Sequence, residues 1–179
     1  MKKSLLIVIA IVTYNVLLSQ EIPKLKLTPE GVAPITLNVD GLSAAEIYKK
    51  SLDWVQETYK NPDEVLKTNI ENKKIRINGF SPYALTFRNV VEINWGVSYS
   101  LEISFKDDKC RYDYNINHFN NEDGGVITTM TYRNFYKKNG DIRKSYLPAV
   151  SSLENTINDL LLNYYNYITG KTDAANDDW

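Results

Sequence analysis

The chain has 179 residues, 43% hydrophobic and 24% charged, the composition of a globular domain with a core rather than of a disordered segment. Its 21 basic and 22 acidic residues give a formal charge of −1, and setting aside Lys2 and Lys3 of a leader leaves 19 basic residues, a balance of about −3. That excludes the strong basic excess of a nucleic-acid-binding surface. Cys110 is the single cysteine, so an intramolecular disulfide is excluded and packing must hold the domain together.

The start of the chain reads as an export signal. Met1-Lys2-Lys3-Ser4 is a positive n-region, Leu5 to Leu18 a mostly apolar h-region, and Ser19 a small residue at a cleavage position. The apolar run contains Tyr14 and Asn15 and falls short of the roughly 20 residues a spanning helix needs. An uncleaved anchor is the alternative. No cysteine lies near the cleavage point, which excludes a lipoprotein. The expected organisation is a signal peptide over 1–19, an extended lead-in over 20–34, one α+β domain over 35–170 and an acidic, frayed tail over 171–179. The expected destination is the periplasm or the exterior, with no membrane span once the signal is removed.

Past the proline-containing lead-in, Ile35, Leu37 and Val39 alternate with polar residues as a short half-buried strand. Ser43 to Lys60 then reads as an amphipathic helix. Ser43 with Glu46 forms a capping box, and Ala44, Ile47, Tyr48, Leu52, Val55 and Tyr59 recur at helical spacing, with Trp54 widening the apolar stripe. Asn61-Pro62 stops it. Val65–Ile70 and Lys73–Gly79 are strand-like runs around a Glu71-Asn72 turn, and Phe80–Asn89 is less regular, with Ser81-Pro82 marking a loop.

Val91 to Phe105 is the clearest β-signal. Its odd positions are all apolar or aromatic, and its even positions are polar or glycine. Asp107-Asp108 turns the chain, and Cys110–Phe119 returns antiparallel. Pairing Phe105 with Cys110 places Ile103 opposite Tyr112, Leu101 opposite Tyr114, Tyr99 opposite Ile116 and Val97 opposite His118 on an apolar face. The polar face then carries Ser104 with Arg111, Glu102 with Asp113, Ser100 with Asn115 and Ser98 with Asn117. Val126–Lys138 reads as strand-like, with Asn139-Gly140 as a hairpin turn. Pro148 precedes the second helix, which carries Val150, Leu153, Ile157, Leu160, Leu161, Tyr164 and Ile168 on one side and ends at Gly170. The 13 tyrosines are expected as core residues with wet hydroxyls.

LSAAEIYKKSLDWVQETYKNP, KIRINGF and VSYSLEISFKDDKCRYDYNINHF together resemble a family of small secreted proteins of the Bacteroidota, a domain of unknown function (family 4468) with a TBP-like fold. Trp54 matches its tryptophan, Tyr99, Leu101 and Ile103 its Tyr-x-Leu-x-Ile strand, and Lys106, Asp107, Lys109 and Arg111 its turn. Asp108 replaces the family's glycine and Cys110 a position often aromatic. The resemblance covers roughly residues 35 to 120. It implies a twisted antiparallel sheet with two α-helices packed on one face, and export, and it brings no activity.

No catalytic, cofactor-binding or metal-binding set emerges. Cys110 and His118 stand about 26 Å apart on one strand at ~3.3 Å per residue, too far for a dyad. Cys110 has the parity of a buried, inert thiol, and His118 that of a residue capping the apolar face. The glycine pairs lack a following helix to cradle phosphate, and the acids of the tail lack the spacing of a calcium loop. The paired carboxylates Glu102 and Asp113 lack the cleft that glycoside hydrolysis needs. What remains is a polar platform of Arg76, Asn94, Glu102, Arg111, Asp113 and Asn115. The expected function is a non-enzymatic exported module that binds a protein, glycan or envelope component through this face or the loops. The alternative is a carrier of a small apolar ligand, with its pocket between helices and sheet.

Overall fold

The computed structural model describes residues 22–88 and 92–171. The expected signal peptide, and the tail beyond Lys171, lie outside the described residues. The first helix, α1 (Ala44–Thr58), begins at the expected capping box: Ser43 Oγ accepts from the Glu46 backbone N–H, and the Glu46 carboxylate accepts from the Ser43 N–H. The Ser43 hydroxyl donates to the same carboxylate, and this bond, with the one from the backbone N–H, holds the Glu46 pKa below its ordinary value. The same helix start is held by the sheet, because Asp107 Oδ1 accepts from the Ala44 N–H and Asp108 Oδ1 from the Gly41 N–H, each at 2.8 Å. The Asp-Asp turn therefore has two tasks, reversing the chain and capping a helix.

Five strands form the sheet in the order β3 (Ile35–Asn38), β7 (Lys109–Asn120), β6 (Glu92–Lys106), β5 (Lys74–Arg88) and β4 (Leu66–Ile70), all antiparallel; a sixth, β8 (Val126–Ile127), pairs with the end of β7. The register from Phe105–Cys110 to Tyr99–Ile116 is the one expected. Beyond it a bulge shifts the pairing, so that Val97 faces Phe119 and Ser98 faces His118. The expected pairs Val97–His118 and Ser98–Asn117 are corrected accordingly. The physical reason is that Phe119, 1% exposed, has more apolar surface to bury than a histidine, and one extra residue moves it to the core.

Three other readings are corrected. Ser81-Pro82 does not mark a loop: β5 runs on to Arg88, absorbing the pair in a bulge between Ser81 and Leu85 and burying Ala84, Leu85 and Phe87. Proline is admitted there because a bulge leaves a position free of the ladder. Val65 belongs to a one-turn helix, α2 (Pro62–Val65), with Pro62 at its first position, so Asn61-Pro62 ends one helix and starts another. Val126–Lys138 is strand only over β8; a 3₁₀ turn at Tyr132–Phe135 follows, and the Asn139-Gly140 turn is closed by the isolated bridge between Tyr136 and Ile142. The lead-in contributes a two-strand hairpin of β1 (Leu27–Thr28) and β2 (Gly31–Val32). It is tied to the last helix, α3 (Leu147–Thr169), whose Asn158 and Glu154 bond the backbone at Leu25 and Leu27. Gly170 caps α3 at φ 69°, where glycine avoids the Cβ clash.

The helices α1 and α3 cover one face of the sheet. Ile47, Trp54 and Val55 of α1 and Val150, Leu153, Ile157, Leu161, Tyr164 and Ile168 of α3 meet Ile75, Ile77, Leu101, Ile103, Tyr112 and Tyr114 in one core, all at 2% exposure or less. Ser51, which helical hydrophobicity does not flag, is buried too, its hydroxyl bonded to Ile47 O and to Tyr164 OH. The expectation of wet tyrosine hydroxyls fails here. Tyr164 is wholly buried, Tyr59 and Tyr99 bond each other at 2.9 Å, and the Tyr112 and Tyr114 hydroxyls are buried with no partner among the described residues. Burial drives the Tyr112, Tyr114 and Tyr164 pKa values well above that of an ordinary phenol. A buried hydroxyl without a partner costs about 1–3 kcal/mol. Tyr114→Phe is therefore expected to raise the urea midpoint at unchanged slope, whereas Tyr164→Phe, which gives up the Ser51 bond, lowers it. A drop for Tyr114→Phe as large as for Tyr164→Phe would refute this assignment.

Candidate functional site

The face of the sheet opposite the helices is open and polar. Strand alternation and register set its side chains in rows across β5, β6 and β7. One row is Arg76, Glu102 and Asp113; those beside it are Lys74, Ser104 and Arg111, and Asn78, Ser100 and Asn115. Glu102 and Asp113 stand directly opposite each other, an arrangement that repulsion disfavours. Each has a basic partner: Lys74 Nζ lies 3.2 Å from Glu102, and Arg111 3.5 Å from Asp113. Asn115 Nδ2 also donates to Asp113 at 3.0 Å, and Asn78, Ser100 and Asn117 form a hydrogen-bonded ladder next to it. These pairs are partly exposed, so they contribute little to stability and chiefly fix where the charges sit.

Of the six residues expected on this platform, Arg76, Glu102, Arg111, Asp113 and Asn115 are brought together. Asn94 is not. It shares the face but lies eight residues along β6 from Glu102, about 26 Å, where its side chain accepts from Thr86 Oγ1 and its backbone N–H donates to Glu122 Oε1. Lys74 and Asn78 were missed, although both share the parity of Arg76 on one strand and were available to the alternation argument. The basic partner of Glu102 comes from the neighbouring strand, where Lys74 stands diagonal to it.

Cys110, 1% exposed, lies on the apolar side as expected, and burial pushes its thiol up to about 11, partly offset by Tyr164 at 3.6 Å. His118 is half-buried on the polar parity, a consequence of the bulge. Among the described residues no three His, Cys, Asp or Glu side chains converge on a metal position, and no helix is long and apolar enough to cross a membrane.

An antiparallel sheet with helices on one face and a polar open face places the chain in the α+β class with a TBP-like fold. Residues 35–120, from β3 to the end of β7, match the family described as a domain of unknown function (DUF4468) with TBP-like fold, the family whose resemblance the helix and hairpin motifs carry. Two solved structures share the fold. A DUF4468 family protein from Bacteroides ovatus is 15% identical, with a TM-score of 0.61, covering 82% of this chain and 90% of its own. A TBP-like protein from Parabacteroides distasonis is also 15% identical, with a TM-score of 0.57, covering 76% and 90%. No curated protein matches the chain.

Proposed function

We propose that the chain is an exported, non-enzymatic binding module of the cell envelope that presents the open face of its sheet to a protein, glycan or other envelope component. The observation that carries this reading is the asymmetry of the sheet. One face is sealed by α1 and α3, while the other holds Arg76, Glu102, Arg111, Asp113 and Asn115 at fixed spacing with no element of the described residues laid over them. Fixed charges on a rigid sheet give orientation and specificity to an encounter. The positive, then apolar, leader supports export. A binding role fits better than catalysis because the two carboxylates are each paired with a base on a flat face without water-excluding walls. The carrier alternative draws support from the Tyr112 and Tyr114 hydroxyls, buried without a partner among the described residues. Against it stands the packing around them, with Trp54, Ile47, Leu101 and Tyr164 all at 0% exposure.

The test is capture from the envelope fraction with the wild-type protein and with an Arg111→Ala, Glu102→Ala double variant. Both positions are at the surface, so the double variant is expected to stay within about 0.5 kcal/mol per site of wild-type stability while partner capture is lost. Capture at the wild-type level would sink the sheet-face reading. A small mass in native mass spectrometry of the purified protein that leaves on denaturation would favour the carrier.

A further inference from the structure

At the far end of the open face, the bulge in β5 builds a cavity that the charged rows do not use. Phe80 lies on the outer side opposite Ser98, its ring laid across Gly96: a Cβ at Gly96 would meet Phe80 Cε2 and Cζ at 2.5 Å. Phe80 nevertheless stays 50% exposed, so its ring, seated on the Gly96 backbone, forms an accessible aromatic floor. Tyr83, within the bulge, is 68% exposed and held at φ 56°, a conformation unfavourable for an aromatic residue. Across from them the 121–124 loop is tied to β6 by the bond from Asn94 N–H to Glu122 Oε1, and is closed on itself by Asn121 Oδ1 accepting from Gly125 N–H. Together they line a half-open cavity of about 250 Å³.

The free polar groups of the rim define what fits. Glu122 keeps one carboxylate oxygen, and Asp123 contributes a carboxylate; both only accept hydrogen bonds. The amide oxygens of Asn94 and Asn121 are engaged with Thr86 and Gly125, which leaves their NH₂ groups to donate. A ligand matching this rim needs donors and acceptors on its edge and an apolar face for Phe80. An anion is repelled by two carboxylates, and a simple organic cation leaves both amide donors without an acceptor. The volume is below the roughly 300–1,000 Å³ of pockets for drug-sized ligands, which limits the occupant to a single ring. We propose that this cavity is a binding subsite for one pyranose ring of a neutral saccharide, its C–H face stacked on Phe80 and its hydroxyls held by Glu122, Asp123 and the amides of Asn94 and Asn121. The inference names a ligand class for the outer face, but it does not depend on the charged rows.

The experiment is titration of the ¹⁵N-labelled protein, followed by two-dimensional NMR, with the methyl glycosides of glucose, galactose, mannose and N-acetylglucosamine, and with tetramethylammonium chloride. At least one glycoside is expected to give saturable shifts, with a Kd in the millimolar range, confined to the Gly96 amide, the 121–125 loop and the Asn94 and Asn121 side-chain amides. Phe80→Leu and Glu122→Gln, both at the surface, are each expected to weaken that binding by about tenfold or more while leaving the rest of the spectrum in place. The Arg111→Ala, Glu102→Ala variant is expected to keep the shifts, so loss of partner capture and loss of sugar binding are separable. Absence of saturable shifts with all four glycosides, shifts with tetramethylammonium alone, or undiminished binding by Phe80→Leu would each overturn the proposal.

Discussion

Trp54→Ala is expected to remove about 3–5 kcal/mol of stability, the largest loss from any single truncation in this core. Trp54 is 0% exposed and sits where α1, α3 and the sheet meet. Its indole packs edge-on against Tyr164 at 5.0 Å and Tyr59 at 5.7 Å, and Nε1 donates to Asn163 Oδ1 at 2.7 Å. Truncation opens a cavity that aromatic rings in fixed rotamers cannot collapse to fill, and it strips the Asn163 carbonyl of its donor. Against a typical total of about 5–15 kcal/mol, such a loss removes a large share of the stability. Trp54→Phe keeps the ring contacts and loses the hydrogen bond, so it is expected to cost no more than half as much. Urea unfolding followed by circular dichroism measures both. A loss below about 1 kcal/mol for Trp54→Ala would show that α1 is held mainly by its cap and by the Asp107 and Asp108 contacts instead.

The sequence made this region readable because several local signals agree. The capping box, the helical period through Ile47 and Trp54, and the two-residue period through Tyr99, Leu101 and Ile103 all point inward to the same place, and local agreement of this kind makes a fold legible. The register of the β6–β7 hairpin followed from parity and a two-residue turn. What escaped was non-local. A bulge breaks strict alternation, so parity carried through it sends Phe119 to the wrong face, and a Ser-Pro pair reads as a break although β5 continues past Pro82. Once the bulge is missed, the cavity at Phe80 and Tyr83 is missed with it, since it exists only because β5 continues there and because the 121–124 loop folds back onto β6. The platform was legible in part. Parity gives the face of each residue, which found Glu102, Asp113, Arg111, Asn115 and Arg76; it also admitted Asn94, although eight residues of one strand at ~3.3 Å each already set it apart from Glu102. Ser51 was hidden for another reason: a small polar residue is buried only where a neighbour such as Tyr164 supplies its hydrogen bond, and that neighbour is 113 positions away.

Gly79 is the second position where a single change has a large effect, and its cause lies in one contact. Gly79 stands opposite Tyr99 on the inner face, and a Cβ there would lie 2.3 Å from Tyr99 Cζ, 2.4 Å from its hydroxyl oxygen and 2.8 Å from Cε2. The tyrosine ring lies over the glycine, covering a backbone position that has no side chain of its own, a pairing that also serves designed sheets. Tyr99 has nowhere to retreat: it is 2% exposed, stacked on Tyr114 at 4.7 Å and bonded through its hydroxyl to Tyr59 at 2.9 Å. Gly79→Ala is therefore expected to cost about 1–3 kcal/mol or more, as overpacking does, although alanine in a strand interior ordinarily gains about 0.5–1 kcal/mol over glycine. The sign is the informative part. In a Tyr99→Leu background the clash is relieved, and the same Gly79→Ala change is expected to become neutral or stabilising, so the double-mutant cycle gives a coupling well beyond the ~0.5 kcal/mol of independent sites. An additive cycle would mean that the glycine is required by its backbone geometry and not by the ring above it.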